Sequence, residues 1–192
     1  ETEDEIRKIS KFFSNKNYKL FLSKNASESK IKKTDLKNYS YIIFATHAIP
    51  ESETGNSQIS GLALSYPKII NDLDNGFLNS KEIMNINLNS ELVLLSACET
   101  ATDNQAAGRA FAGMVNSFFF AGSNSVIASH WKIESNSTVK ITTNFFKNLI
   151  DDEINTAKSL RKSVLDFKKN NKEFNHPAFW GAFSVILNSR YN

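Results

Sequence analysis

Cysteine is nearly absent from this chain, since Cys98 is the only one among 192 residues. One cysteine cannot form a disulfide within the chain, and it cannot build a cysteine-rich zinc site. The scarcity fits a reducing compartment, so we expect a cytoplasmic protein. A lone cysteine is either a small buried apolar residue or a reactive thiol, and taken alone the inert buried residue is favoured.

Long apolar runs are also missing, because no stretch approaches the roughly 20 residues that span a bilayer. The first residues lack the basic, apolar and small-residue regions of a secretory signal. We therefore expect no membrane partner. An apolar fraction of 41% and a charged fraction of 22% are ordinary for a globular protein. We expect one domain over residues 1–192, and a start at Glu1 instead of Met indicates a module of a longer protein.

The chain also has little excess charge of either sign, because its net charge is only +3. The surplus is spread over two predicted helices instead of forming a basic stripe with stacking aromatics, so we expect nucleic acid contacts only indirectly, if at all. The histidines at positions 47, 130 and 176 lack metal-ligand spacing. No glycine-rich phosphate loop with a lysine is present. We expect neither a metal nor a cofactor.

Apolar periodicity predicts alternating helices and strands, which is typical of an α/β protein with a mostly parallel sheet. The predicted helices are 3–14, 27–36, 81–85 (with Ser80 as its cap), 106–121, 136–150 and 154–169. The predicted strands are 18–22, 41–47, 61–65, 92–95, 125–131 and 179–187.

Two of these strands end on residues that suit nucleophilic catalysis. The run 92–95 has four aliphatic residues without alternation, which is typical of a strand buried on both faces, and it leads to Cys98. The run 41–47 ends on His47. Ligands of open parallel sheets bind beyond the carboxyl ends of the strands, so a thiolate and its base can meet there. The backbone N–H groups of Ala48 and Cys98 are the natural donors to a developing oxyanion.

Each residue alone also has a structural interpretation. Cys98 and His47 are common as inert core residues when they occur singly, and it is their pairing that favours catalysis. His130 either lines the site or packs in the core. His176 precedes Pro177, which favours a turn. A cysteine-dependent acyltransferase or amidase would use the same pair.

Several segments, taken together, resemble the CHAT domain, a family of caspase-like peptidases related to separase. The segments that carry the resemblance are Phe44-Ala45-Thr46-His47, Ser60-Gly61-Leu62-Ala63-Leu64, Asn79-Ser80-Lys81-Glu82-Ile83, 92–100 (ending Ser96-Ala97-Cys98-Glu99-Thr100), Arg109-Ala110-Phe111, Phe120-Ala121-Gly122-Ser123, 126–131 and 178–183. They occur in the family's order over nearly the whole chain.

The resemblance implies a caspase-like three-layer α/β/α sandwich and a catalytic Cys98–His47 dyad. Cys98 follows His47 by 51 residues (98 − 47), which fits the separation of about 50 in caspases. It further implies a bacterial protease that cleaves a protein substrate, held inactive until a partner or signal acts. An N-terminal helical-repeat region is a common neighbour in this family.

The chain departs from the family pattern at a few positions. Ala48 replaces the glycine that usually follows the histidine, and Ala101 replaces a second glycine. The family's Ser-Leu-Trp is Ser129-His130-Trp131 here, and its acidic pair is Glu134 and Ser135. By resemblance, Ser129, Trp131 and Glu134 bind substrate, with Glu134 favouring a basic residue before the scissile bond. Glu134 is otherwise a surface loop residue. The backbone N–H of Ala48 survives the replacement, but we expect its methyl group to crowd the oxyanion position. A catalytically inactive interaction module is therefore the alternative function.

Overall fold

The computed structural model describes residues 2–13, 18–49, 59–71, 73–96, 105–152 and 154–189. The α-helices in these ranges are α1 (Thr2–Ser10), α2 (Glu28–Lys33), α3 (Ser80–Met84), α4 (Gln105–Ala121), α5 (Ser135–Ile150) and α6 (Thr156–Asn170). The strands are β1 (Tyr41–Phe44), β2 (Ala48–Ile49), β3 (Gly61–Ala63), β4 (Phe77–Asn79), β5 (Leu92–Leu95), β6 (Ser125–Ser129) and β7 (Phe183–Leu187). Short 3-10 helices are Lys11–Phe13, Ser23–Asn25, Leu36–Asn38, Lys172–Phe174 and Pro177–Phe179.

The central sheet has the strand order β1-β5-β6-β7. β1 and β5 pair in parallel, as do β5 and β6, and β7 joins in the antiparallel direction. Parallel neighbours need crossover connections, and α4 supplies the one between β5 and β6. The sheet is therefore mostly parallel, as the sequence pattern predicts.

Side chains of the middle strands alternate between two apolar clusters. Val93 and Leu95 of β5 belong to one cluster, whereas Leu92 and Leu94 belong to the other. All four are at most 2% exposed. The uninterrupted aliphatic run of β5 is thus explained, because both faces of the strand are covered.

Helices cover the sheet on both sides. Residues of α2, α3 and α4 complete the first cluster, which we call the α4 face. Residues of α1, α5 and α6 complete the second, which we call the α5 face. The chain forms the three-layer α/β/α arrangement that the family resemblance implies.

A small antiparallel sheet of order β2-β3-β4 follows the central strand β1. Gly61 of β3 is required there, because a Cβ would lie 2.6 Å from the ring of Phe77 and 2.7 Å from the carbonyl oxygen of Leu78. The sequence pattern predicts a strand at 61–65 but not this second sheet.

Some predicted boundaries are wrong. Residues 18–22 form no strand, because a strand needs a hydrogen-bonded neighbour. This segment and β1 both line a cavity of about 670 Å³, and no strand pairing joins them. The last strand begins at Phe183 instead of 179, since Pro177 opens a 3-10 helix. The cap of α3 is Asn79, whose side chain accepts from the N–H of Glu82 in a capping box.

Candidate active site

His47 lies in the connection between the central and the small sheet, three residues after β1 ends at Phe44. The hydroxyl of Thr46 donates to the carbonyl oxygen of Ala63. The N–H of Ala63 donates to the carbonyl oxygen of His47 over 2.9 Å. Both bonds hold the backbone on either side of His47 against β3, while the His47 residue is exposed.

The register of β1 and β5 relates His47 to the predicted nucleophile. Phe44 and Leu95 are paired across the two strands, and the Ser96 N–H donates to the Phe44 carbonyl oxygen over 2.9 Å. His47 and Cys98 each follow these paired residues by three positions. Neighbouring strands lie about 4.8 Å apart. Cys98 and its N–H lie outside the described residues, as does Ala101.

Ala48 begins β2 and is 4% exposed. It is paired with Leu62, and the bond from the Ala63 N–H to His47 makes this a non-hydrogen-bonded pair of the antiparallel ladder. The N–H of Ala48 is consequently not used in pairing with β3. The methyl group that replaces the family's glycine is buried.

The carboxyl end of β6 carries the predicted substrate-binding residues Ser129 and Trp131. Ser129 is 3% exposed and is paired with Phe183. The Trp131 Nε1–H donates to the carbonyl oxygen of Ala178 over 3.1 Å. Because β6 neighbours β5, this strand end lies beside the end of the strand that leads to Cys98.

A comparison with protein-family models decides which family this chain belongs to. The CHAT domain model matches residues 1–188. The chain belongs to the CHAT domain family. This family consists of caspase-like cysteine peptidases, and the sandwich described above is the fold that the resemblance implies. No curated protein is significantly similar to the chain.

His130, which stands where the CHAT family has leucine, is exposed at the end of β6. Its Nε2 is 2.8 Å from the Ser184 hydroxyl, and its N–H donates to the Ala182 carbonyl oxygen over 2.9 Å. His130 therefore contacts β7, and the core interpretation of this residue is wrong. His176 lies in the predicted turn, where its Nδ1 accepts from the Ala178 N–H at the start of a 3-10 helix.

Glu134 is the N-cap of α5 in this CHAT domain. Its Oε1 accepts from the Asn136 N–H over 2.9 Å, and its Oε2 accepts from the Ser137 N–H over 2.8 Å. Partial burial opposes ionisation, but these backbone hydrogen bonds outweigh it and lower the pKa of Glu134. The residue is exposed and carries a negative charge at neutral pH, so its predicted contact with a basic side chain stays a prediction.

Sequence reasoning missed Glu5, a buried carboxyl group on α1 that is 2% exposed. The hydroxyl groups of Ser96 and Thr142 both donate to its Oε1, the latter over 2.7 Å. Burial raises the pKa of Glu5, and the two hydrogen bonds offset part of that rise. The sequence does contain an indication that Glu5 is buried. It precedes the apolar Ile9 by four residues and so lies on the same face of the helix.

Within the ranges that the structure describes, no three His, Cys, Asp or Glu side chains form a cluster able to hold a metal ion. Among the same residues, no helix is both long enough and apolar enough to cross a membrane.

Proposed function

We propose that this CHAT domain is a cysteine endopeptidase in which Cys98 is the nucleophile and His47 is its base. The observation that carries the proposal is the parallel register of β1 and β5. It pairs Phe44 with Leu95. In the sequence, His47 and Cys98 each follow their member of that pair by three residues. This register supports the proposal because both residues follow the carboxyl ends of neighbouring parallel strands, where a thiolate and its base can meet.

The reaction follows from these two groups. His47 takes the proton of the Cys98 thiol and becomes the imidazolium. The thiolate sulfur then attacks the carbonyl carbon of the scissile peptide bond, forming a C–S bond while an electron pair moves to the carbonyl oxygen. The C–N bond then breaks, and the leaving amine takes a proton from the His47 imidazolium. Neutral His47 next removes a proton from water, whose oxygen attacks the thioester. The C–S bond breaks, and the acid product leaves.

The backbone N–H groups of Ala48 and Cys98 would stabilise the oxyanion. In support, the Ala48 N–H is not used in pairing with β3. The alanine methyl group does not remove this donor, so the departure from the family's glycine is compatible with activity. Donors placed before the reaction are worth about 2.7–4 kcal/mol of transition-state stabilisation each.

The proposed substrate is a protein, bound at the end of β6 by Ser129, Trp131 and Glu134. The Glu134 carboxylate would pair with a Lys or Arg before the scissile bond. We propose that a regulatory partner or an N-terminal helical-repeat region activates the domain. A cytoplasmic location and a bacterial origin stay predictions.

Profiling of newly formed protein N-termini in cells of the native host tests the activity where activator and substrate are both present. We expect new termini with the wild-type protein and none with Cys98→Ala. For His47→Ala we expect a loss of about 100-fold or more, since a general base contributes at least this much. His176→Ala removes another exposed histidine and serves as the matched control, with unchanged termini.

Identical profiles for wild type and Cys98→Ala would contradict the proposal and favour the non-catalytic interaction module. Full activity in His47→Ala would contradict the assigned base alone.

A further inference from the structure

Glu5 is unusual because its carboxyl group is buried without a cationic partner among the described residues. An isolated carboxylate is costly to bury, so such a group is normally paired, yet within the described ranges only two hydroxyl groups donate to Glu5. Neither the fold pattern nor the proposed chemistry of Cys98 and His47 accounts for this residue.

Ser96 connects Glu5 to the candidate active site. It is the first residue after β5, it is 4% exposed, and it precedes Cys98 by two positions. Its N–H donates to the Phe44 carbonyl oxygen on β1, the strand that leads to His47. Its hydroxyl donates to Glu5 on α1. Three elements therefore meet at the residue where the chain leaves β5 toward Cys98.

Thr142 contacts the same carboxyl oxygen of Glu5 from a different element. It lies in α5, is 2% exposed, and also lies within 2.9 Å of the Thr138 carbonyl oxygen in the preceding turn. Glu5 is thus held between a helix on one side and the end of β5 on the other. The hydroxyl groups of Ser96 and Thr142 contact the same Oε1 atom, so removing one or the other gives a matched pair of variants.

We propose that Glu5 is a positioning residue that, by holding the Ser96 hydroxyl, sets the direction in which the chain leaves β5 and so orients Cys98 toward His47. The inference rests on the proposed function. It predicts that loss of the Ser96 hydroxyl impairs Cys98, whereas loss of the Thr142 hydroxyl does not. A purely structural role for Glu5 predicts equal effects.

Alkylation by iodoacetamide measures Cys98 directly, because the chain has no other cysteine. The rate as a function of pH reports the thiolate, whose ordinary thiol pKa is about 8.5. In the full-length protein we expect a midpoint well below this value in wild type and near it in His47→Ala. In Ser96→Ala we expect a midpoint shifted toward that of His47→Ala and alkylation at neutral pH about tenfold slower, since small misplacements of a reacting group are costly.

Thr142→Val is the matched control, because it removes the other hydroxyl group that contacts the same carboxyl oxygen. We expect its alkylation to stay within about twofold of wild type, although its urea midpoint falls as much as that of Ser96→Ala. Glu5→Gln keeps an oxygen that can accept both hydrogen bonds and should retain most of the reactivity, whereas Glu5→Ala should behave like Ser96→Ala.

These outcomes distinguish the positioning role of Glu5 from the proposed Cys98–His47 dyad. Equal alkylation profiles for Ser96→Ala and Thr142→Val overturn the positioning role while leaving the dyad intact. A wild-type midpoint near that of an ordinary thiol, unchanged by His47→Ala, overturns the dyad and the inference with it.

Discussion

Hydrogen bonds to Ala63 on the neighbouring strand hold the backbone around His47 in place. Thr46 and His47 both bond to Ala63, one through a hydroxyl and the other through a carbonyl oxygen. A threonine before the histidine thus has a physical role, since its short hydroxyl reaches the neighbouring strand. The carboxyl groups of Glu5 and Glu134 contribute elsewhere, at Ser96 and at the start of α5.

Variants of Glu134 can separate its capping role from its proposed recognition of a basic residue. Glu134→Asn keeps a good N-cap without the charge, Glu134→Asp keeps both, and Glu134→Ala loses both. We expect the preference for Lys or Arg to survive only in wild type and Glu134→Asp. Only Glu134→Ala should lose about 1 kcal/mol of stability. Cleavage-site profiling and urea unfolding measure the two effects, and a basic preference that persists in Glu134→Asn would contradict the recognition role.

The pH dependence of the cap follows from the lowered pKa of Glu134. The stability that its carboxylate contributes is fully present above the ordinary pKa of 4.5 and is lost as the pH falls through the lowered folded-state value.

The sequence predicts the identity of the residues at the strand ends better than their contacts. His47 follows from the apolar run before it, because the carboxyl ends of parallel strands are where ligands bind. The capping role of Glu134 was not predicted, because glutamate is not among the residues that are usual at an N-cap. Glu5 was missed because a charged residue is expected on the solvent side of an amphipathic helix.

At the scale of elements, α4 shows how a helix end is fixed. The Gly122 N–H donates to the Phe119 carbonyl oxygen and the Ser123 N–H to that of Phe118, which is a Schellman motif. Gly122 has a φ of 111°. A Cβ there would lie 2.3 Å from the Leu88 carbonyl oxygen. Only glycine fits at the end of this helix.

We therefore expect Gly122→Ala to destabilise the protein by more than about 2 kcal/mol, through both its backbone conformation and the clash with Leu88. Gly113→Ala is the matched control within α4, because a Cβ there meets nothing within 4 Å. A glycine inside a helix costs about 0.5–1 kcal/mol relative to alanine, so this control should be stabilising. Urea unfolding measures both, and equal midpoints would contradict the assigned role of Gly122.

Elements with a strong local pattern were predicted well. The helix predicted at 106–121 agrees with α4 to within one residue at its start. Its end is predicted well because Gly122 adopts a positive φ that terminates the helix. The strand predicted at 18–22 is wrong, because local apolar content cannot tell whether a neighbour is within hydrogen-bonding reach. The small sheet was incompletely predicted for a related reason: its strands are two or three residues long and depend on pairing with each other.

At the scale of the whole molecule, the two apolar faces share one sheet. β5 and β6 send alternate side chains into the α4 face and the α5 face, and most of these are almost fully buried. A substitution that destabilises one face should therefore also destabilise the other. This coupling is the physical basis for the expectation that residues 1–188, which match the CHAT domain, unfold as one unit.

Phe118→Leu tests this coupling from the α4 face. Phe118 is 1% exposed and its ring lies 5.7 Å from that of Phe44. We expect a loss of about 1 kcal/mol or more, which lowers the thermal midpoint by about 2–4 °C per kcal/mol in a protein of this size. Trp180 packs against the α5 face, and the only other tryptophan, Trp131, contacts the segment before it, so fluorescence reports the far side of the sheet.

If the faces unfold together, the fluorescence and circular dichroism midpoints of Phe118→Leu fall by the same amount. Phe120→Leu, on the same helix but 63% exposed, is the matched control and should change stability by less than about 0.5 kcal/mol. A fluorescence midpoint that stays at the wild-type value while the circular dichroism midpoint falls would mean that the α5 face unfolds independently. In that case the sheet does not couple the two layers, and a single cooperative domain is the wrong description.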